Sequence, residues 1–399
     1  MNLATISFAY LRARSLNTAL NVLLLALGIA TITLLLLATD QLEDRMQRDA
    51  RGIDLVAGAK GSPLQVILSA IYHLDVPTGN IPLAQAKEIA KHRAVKKTIP
   101  LALGDSYRGF RIVGTNHDYV AHYDAKLAAG RLWGKPMDTV LGAEVAQRAG
   151  LSVGMKFTGA HGIAEGGTEH GDAPYEVVGV LAPSGLVLDR LVLTSVESVW
   201  LVHDEHQSAD SQAKVNEEDK EITALLIQYA SPLAAAILPR YINNNSTMQA
   251  ASPAYETARL FSIIGVGVDV LRGFALVLVF SAGLSVFIAL YNALNERRYD
   301  LAVMRTLGAS RRRLMALMLF EGALLAGFGG ALGLALGHVL TEALGRVLKA
   351  AQQVTVTGWS WVSAEFWLIA LAFGVGVVAA LLPAWRAYRT DIAQTLAQG

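Results

Sequence analysis

The chain has 399 residues, no cysteine and a net charge of +1, and 53% of its residues are hydrophobic. Disulfides, thiolate metal sites and thiol nucleophiles are therefore excluded, and a near-neutral balance argues against general nucleic-acid affinity. The apolar share exceeds that of ordinary soluble domains, and the excess is concentrated in four stretches.

A hydrocarbon core of about 30 Å needs roughly 20 apolar residues at about 1.5 Å rise each. Leu16 to Thr39 reaches that length without a charge and predicts a first membrane helix within residues 1–39. Arg12 and Arg14 precede it, as they would in a signal peptide. The uncharged run exceeds the roughly 7–15 residues of a signal core, however, and no A-x-A site follows, so it reads as a retained anchor. DQLEDRMQRDAR, Asp40 to Arg51, then continues without Gly or Pro and places Leu42 and Met46 on one face, as a helical stalk would.

Residues 40–272 change character and read as a mixed α+β domain inserted between the first and second spans. SPLQVILSAIYHL predicts a helix with Ser62 as N-cap, Pro63 at its first position and Leu64, Ile67, Leu68 and Ile71 on the apolar face. Glu144 to Phe157 reads as helix, turn, strand, while YEVVGVLA at Tyr175 and RLVLTSV at Arg190 read as strands. Between them GAHGIAEGGTEHGDAPYE gathers His161, Glu165, Glu169, His170 and Asp172 in a glycine-rich excursion. His170 and Asp172, two apart, would point the same way on an extended segment. His203 and His206, at i and i+3, would share one face if the segment is helical. Imidazoles with a carboxylate suit zinc or a similar divalent ion; solvated loop polarity explains the same residues. Ser252 and Pro253 then open a second stalk helix through Leu260, Ile263, Ile264 and Val270.

Gly273 to Asn295 predicts the second span. Residues 296–321 follow as ERRYDLAVMRTLGASRRRL and its sequel, dense in charge between two apolar runs. Tyr299, Ala302, Val303, Thr306 and Leu307 fall at helical spacing, which predicts a short amphipathic helix at the interface. Gly308 can stop it by adopting positive φ, and Ser310 can cap the next helix. The third span is Gly322 to Thr341, interrupted by His338, the one ionisable residue within the spans. Residues 342–365 form a short loop, Phe366 to Trp385 the fourth span, and 386–399 a tail. Arginines cluster at the N-terminus, at 297–313 and in the tail, so both termini and the arginine-rich turn are expected in the cytoplasm, with 40–272 outside. An intramembrane protease using Ser285 and His338 is the competing plan, but no G-x-S-x-G surrounds Ser285.

The turn resembles the signature of the MacB/FtsX/LolC-type ABC permeases, E-R-x-x-E/D-φ-φ-x-L/M-R-x-L/I-G-A-S. Glu296, Arg297, Asp300, Met304, Arg305, Leu307, Gly308, Ala309 and Ser310 match it. Pro383, Ala384 and Arg386 give a weaker echo at the fourth span's exit, and the layout of one span, a large outer domain and three clustered spans is also that family's. The resemblance implies a stand-alone permease that binds no cofactor of its own. A separate cytoplasmic ATPase dimer would hold ATP and magnesium, because no G-x-x-x-x-G-K-[ST] occurs here. It assigns ATPase coupling to the matched residues and to Val303. It implies a second permease subunit, of the same or another chain, in a bacterial inner membrane, and possible periplasmic or lipoprotein accessories. The action would be mechanotransmission on a substrate in the periplasm or the outer leaflet, such as export or lipoprotein release. The alternatives are an FtsX-like activator of a cell-wall hydrolase and a component of a zinc-linked transport system. The stretch DLVAGAKGSPLQVILSAIYHLDVPTGNI, Asp54 to Ile81, looks like a subgroup feature with no assigned role.

Overall fold

The computed structural model describes residues 3–161, 174–207, 220–352 and 356–389, leaving out the side chains of 161, 203–207 and 349–352. The chain divides into two compact units, Met1–Leu42 with Ile264–Gly399, and Glu43–Ile263.

Two helices, α1 (Leu3–Ala13) and α2 (Ser15–Asp49), open the chain. The inserted unit follows with β1 (Leu55–Ala59), α3 (Pro63–Ala70), β2 (Ile81–Pro82), α4 (Leu83–Ala90), β3 (Val95–Tyr107) and β4 (Phe110–Thr115). It continues through α5 (His117–His122), β5 (Leu127–Gly130), β6 (Asp138–Leu141), α6 (Ala143–Ala149), β7 (Lys156–Phe157), β8 (Ala160–His161) and β9 (Tyr175–Leu181). After a single 3-10 turn come β10 (Leu191–Ser195), α7 (Val196–Gln207), β11 (Glu221–Ile222), β12 (Ala224–Tyr229), α8 (Ala234–Asn245) and β13 (Met248–Ala251).

Among the described residues the main sheet runs β13-β1-β12-β3-β4-β10-β6-β9-β5, with β7 on β9 and β8 on β3; β2 and β11 pair separately. Most ladders are antiparallel, but β4–β10 and β6–β9 are parallel, which gives the mixed sheet of an α+β domain. Its sides are covered by helices. Leu55, Leu225 and Ile227 of the sheet bury against Ile89 of α4 and Leu238 and Ile242 of α8. Ile112, Leu141, Val177 and Val192 bury against Val145 of α6 and Val202 of α7.

Ser62 caps α3 by accepting from Gln65 N, with Pro63 in the first turn, as the sequence predicts. The apolar face is rotated from the expected one, because Val66, Ile67, Ala70 and Ile71 are buried while Leu64 and Leu68 are only half-buried. Ala70 and Ser69 are small enough to lie against the sheet, and spacing by apolar type alone overlooks them.

The other unit adds α9 (Pro253–Glu296), α10 (Arg298–Thr306), α11 (Arg311–Gln352) and α12 (Glu365–Arg389). α2, α9, α11 and α12 are the four helices long and apolar enough to cross a membrane among the described residues. α2 and α9 run 35 and 44 residues, and the division between the units falls inside both, so each stalk and its span are one helix. α11 likewise continues past its apolar stretch, to Gln352. Small residues knit the bundle: a Cβ built on Gly322 of α11 would lie 2.7 Å from Gly376 O of α12, and one on Gly333 would lie 2.8 Å from Ala26 O of α2. Backbones that close need glycine at the crossing, the usual device where lipid removes any hydrophobic drive between helices.

Candidate functional site

The turn between α9 and α11 is anchored from within. Arg297 separates α9 from α10, and its buried guanidinium lies 3.1 Å from Glu321 Oε1 of α11 and 3.7 Å over the Tyr10 ring of α1. Glu296 beside it pairs with Arg14. A buried Arg–carboxylate pair must be closely matched to offset its desolvation, and here the aromatic face adds a third partner. On α10, Leu301 and Ala302 are fully buried, Leu301 in a cluster with Leu294, Leu314, Met318 and Ala387. Leu307 N bonds Val303 O, and Gly308 follows at φ 96°. α11 then begins, with Ser310 Oγ accepting from Arg313 N at 3.3 Å.

The exposed side of this turn differs from the sequence expectation. Of the face assigned from spacing, Ala302 points inward and Val303 is half-buried, but Tyr299 is 55% exposed, Leu307 is 77% exposed and Thr306 is also exposed. Leu301, which the spacing did not select, takes the inward position. Glu296, Asp300, Gly308 and Ser310 are exposed; Val303, Met304, Arg305 and Ala309 are half-buried; Arg297 is buried. The motif thus divides into an anchor and an outward apolar–charged edge, with Arg311, Arg312 and Arg313 exposed next to it. Sequence reasoning missed Glu321 and Tyr10. Glu321 carried a signal, since it is the one acidic residue between Arg313 and Glu342 and a lone charge bordering a span generally has a partner.

Within the inserted unit the two stalk helices meet one clasp. Asp49, the last residue of α2, accepts from Val187 N at 2.9 Å, and its backbone carbonyl accepts from Tyr123 OH at 2.6 Å. Arg190 lies 3.9 Å from the Asp49 carboxylate and donates to Tyr72 O at 2.8 Å. The Tyr72 hydroxyl shares a 2.8 Å hydrogen bond with Thr257 Oγ1 of α9 and lies 3.3 Å from Met46 O of α2. Burial lowers the pKa of Arg190, helped by Arg45 and opposed by Asp49, and burial raises that of Tyr72. Arg111 Nη2 donates to Asp75 O at 2.7 Å, and burial pulls its pKa down to about 10. Tyr72 and Asp75 belong to the stretch Asp54 to Ile81, which acquires a structural role: it cross-braces the feet of both stalks.

His338 is engaged by α12 and the segment before it. Its Nε2 is 2.9 Å from Glu365 Oε2 and its Nδ1 is 2.6 Å from Gly358 O. With both ring nitrogens committed, it has no atom left to serve Ser285 as a base. Of the candidate metal ligands, His170 and Asp172 lie outside the described residues, as do the side chains of His161, His203 and His206.

Residues 18–238 match the family model of MacB-like periplasmic core domains, and residues 272–392 match that of the C-terminal part of FtsX-like permeases. No curated protein matches the chain. Among solved structures, the periplasmic region of MacB from Actinobacillus actinomycetemcomitans aligns at 13% identity, over 54% of this chain and 97% of that one, with a TM-score of 0.34. The extracellular domain of the noncanonic ABC-type transporter YknZ from Gram-positive bacteria aligns at 14% identity, over 50% and 99%, with a TM-score of 0.30.

Proposed function

The chain belongs to the family of MacB-like and FtsX-like ABC permeases, and from that premise we propose that it is the membrane subunit through which a separate ATPase drives a periplasmic domain. The observation that carries this reading is the outward edge of the α9–α11 turn. Tyr299 on α10 and Leu307 at its C-terminal cap are exposed, while Leu301 and Ala302 bury the other face of α10 and the Arg297–Glu321 pair fixes its start. A short helix held rigidly from behind, with apolar residues facing outward and arginines beside them, suits insertion into a groove of a partner with acidic borders.

In this scheme the turn faces the cytoplasm, the ATPase dimer grips it together with the turn of a second permease chain, and nucleotide-driven closure moves α9 and α11. The unbroken α2 and α9 then carry that motion to the inserted domain, which acts on a substrate in the periplasm or in the outer leaflet of the inner membrane. The spans contain few ionisable groups, which favours leverage over a polar conduit.

The test is co-purification of the chain with an ABC ATPase subunit co-expressed from the same genome. L307D places an unpaired charge at the centre of the exposed edge without touching the buried anchor. Recovery of ATPase should fall about tenfold or more, the loss expected for a central apolar contact. Wild-type recovery with L307D would show that α10 is not the docking element.

A further inference from the structure

One stripe of α11 borders a groove of about 880 Å³: Ala331, Ala335, Val339, Ala343 and Arg346, all exposed and at helical spacing. Trp359 and Trp361, from the segment before α12, border it too. Its depth matches one leaflet of a bilayer. Ala331 stands in the middle of Gly322–Thr341, the run of α11 without Asp, Glu, Lys or Arg. From Ala331 to Thr341 the helix rises about 15 Å, half of a hydrocarbon core of roughly 30 Å. The groove then passes Glu342 and reaches Arg346 beyond that core. This is the end of the bundle where Gln41 of α2 bonds both ways with Thr357.

The chemistry changes along that depth. The deep half is bordered by Ala331, Leu334, Ala335 and Val339, and the ring nitrogens of His338 lie against Gly358 O and Glu365 Oε2. An apolar groove open to hydrocarbon takes up lipid tails, since an empty one forfeits dispersion contacts. The mouth carries two indoles, Trp359 85% and Trp361 71% exposed, a residue type that favours the head-group level. Glu342 is engaged there by three donors, Thr357 Oγ1, Gly358 N and Arg346 Nε. Arg346 uses only Nε in that pair. Its Nη1 and Nη2 have no hydrogen-bond partner among the described residues, and its side chain is 78% exposed. A guanidinium with its fork free matches the oxygens of a phosphate bidentately.

We propose that this groove binds a phospholipid of the leaflet at that end of the bundle. One acyl chain lies along α11 from Ala343 to Ala331, the glycerol is level with Trp359 and Trp361, and the phosphate sits on Nη1 and Nη2 of Arg346. The site is independent of the ATPase reading above, because no residue of the α9–α11 turn contributes to it.

The full chain in detergent, titrated with palmitoyl-oleoyl phosphatidylglycerol and followed by native mass spectrometry, should hold one lipid more tightly than the rest. R346Q removes the charged fork at an exposed position. It should weaken that lipid about tenfold or more, the factor for losing hydrogen bonds to a charged group. A335W fills the groove midway and should weaken it as much. Dioleoylglycerol, which has tails but no phosphate, separates the two contacts: A335W should weaken its binding and R346Q should not. V347L, one position off the stripe, should change neither lipid. If A335W does not fold, R346Q measured against the two lipids decides alone. Unchanged phosphatidylglycerol binding in R346Q, or an equal loss of both lipids in R346Q, would overturn the proposal. So would an A335W chain that loses dimer but keeps its lipid affinity, since the groove would then receive a second copy of the chain.

Discussion

At the residue scale, His73 shows how a buried polar ring links fold to pH. Its Nε2 bonds Tyr119 OH at 3.1 Å, and its buried Nδ1 has no partner among the described residues. Burial, then Arg111 and Arg190 nearby, hold its pKa well below the usual 6.5. The folded ring therefore stays neutral while the unfolded chain takes up a proton below about pH 6.5. Because the unfolded state then binds more protons, stability is fully present above that pH and falls as pH drops, by about 1.4 kcal/mol per unit. H73Q can keep a contact to Tyr119 without titrating. Between about pH 7.5 and about pH 5.5, the thermal unfolding temperature of the inserted domain, followed in the full chain, should fall less in H73Q than in wild type. Equal falls in both would remove His73 as a cause. None of this was legible in YHLDV as a string, because the ring's neighbours come from α5, β4 and the turn before β10, distant in sequence.

At the element scale, the α9–α11 turn was the most legible feature, and its misread part is instructive. The helix, its stop at Gly308 and the Ser310 cap follow from local backbone chemistry, which acts over a few residues and can be read from a few residues. Which face of α10 turns inward depends on Leu314, Met318 and Ala387, elements that spacing within LAVMRTL does not reveal. The same limit hid the partner of Arg297. In R297M the Glu321 carboxyl remains buried without its cation, a loss of about 3–5 kcal/mol. Pairing it with E321L replaces two desolvated charges by apolar volume and should recover most of that loss. Thermal unfolding in detergent reads both variants. If R297M and the double variant unfold alike, with a deficit as large as the single one, the deficit comes from packing over Tyr10 rather than from the stranded charge. The exposed edge and the buried anchor can then be separated by measurement, since L307D is expected to lose the ATPase at full stability.

At the scale of the whole molecule, the four spans and the α+β insert were visible because both rest on summed apolar length and alternation, which tolerate local error. The sheet order was not, since β4–β10 and β6–β9 pair in parallel across long connections that no turn residue announces. The continuity of α2 and α9 lies between these cases: absence of Gly and Pro from Asp40 to Arg51 permits an unbroken helix, and the clasp of Asp49, Tyr72 and Thr257 gives both helices a fixed end. Under the proposed function these two helices are levers between an ATPase and paired inserted domains, and a lever works only if it is stiff and held at that end. Four glycines inserted after Leu42 would break the stiffness alone, because each glycine in a helix interior costs about 1 kcal/mol and frees the chain to bend. Membrane insertion, ATPase recovery and basal hydrolysis should be unchanged. Nucleotide-dependent distance changes between spin labels on paired inserted domains should shrink, and transport should fail with them. Should those distances change as in wild type, motion reaches the head without α2, and α9 alone is the lever.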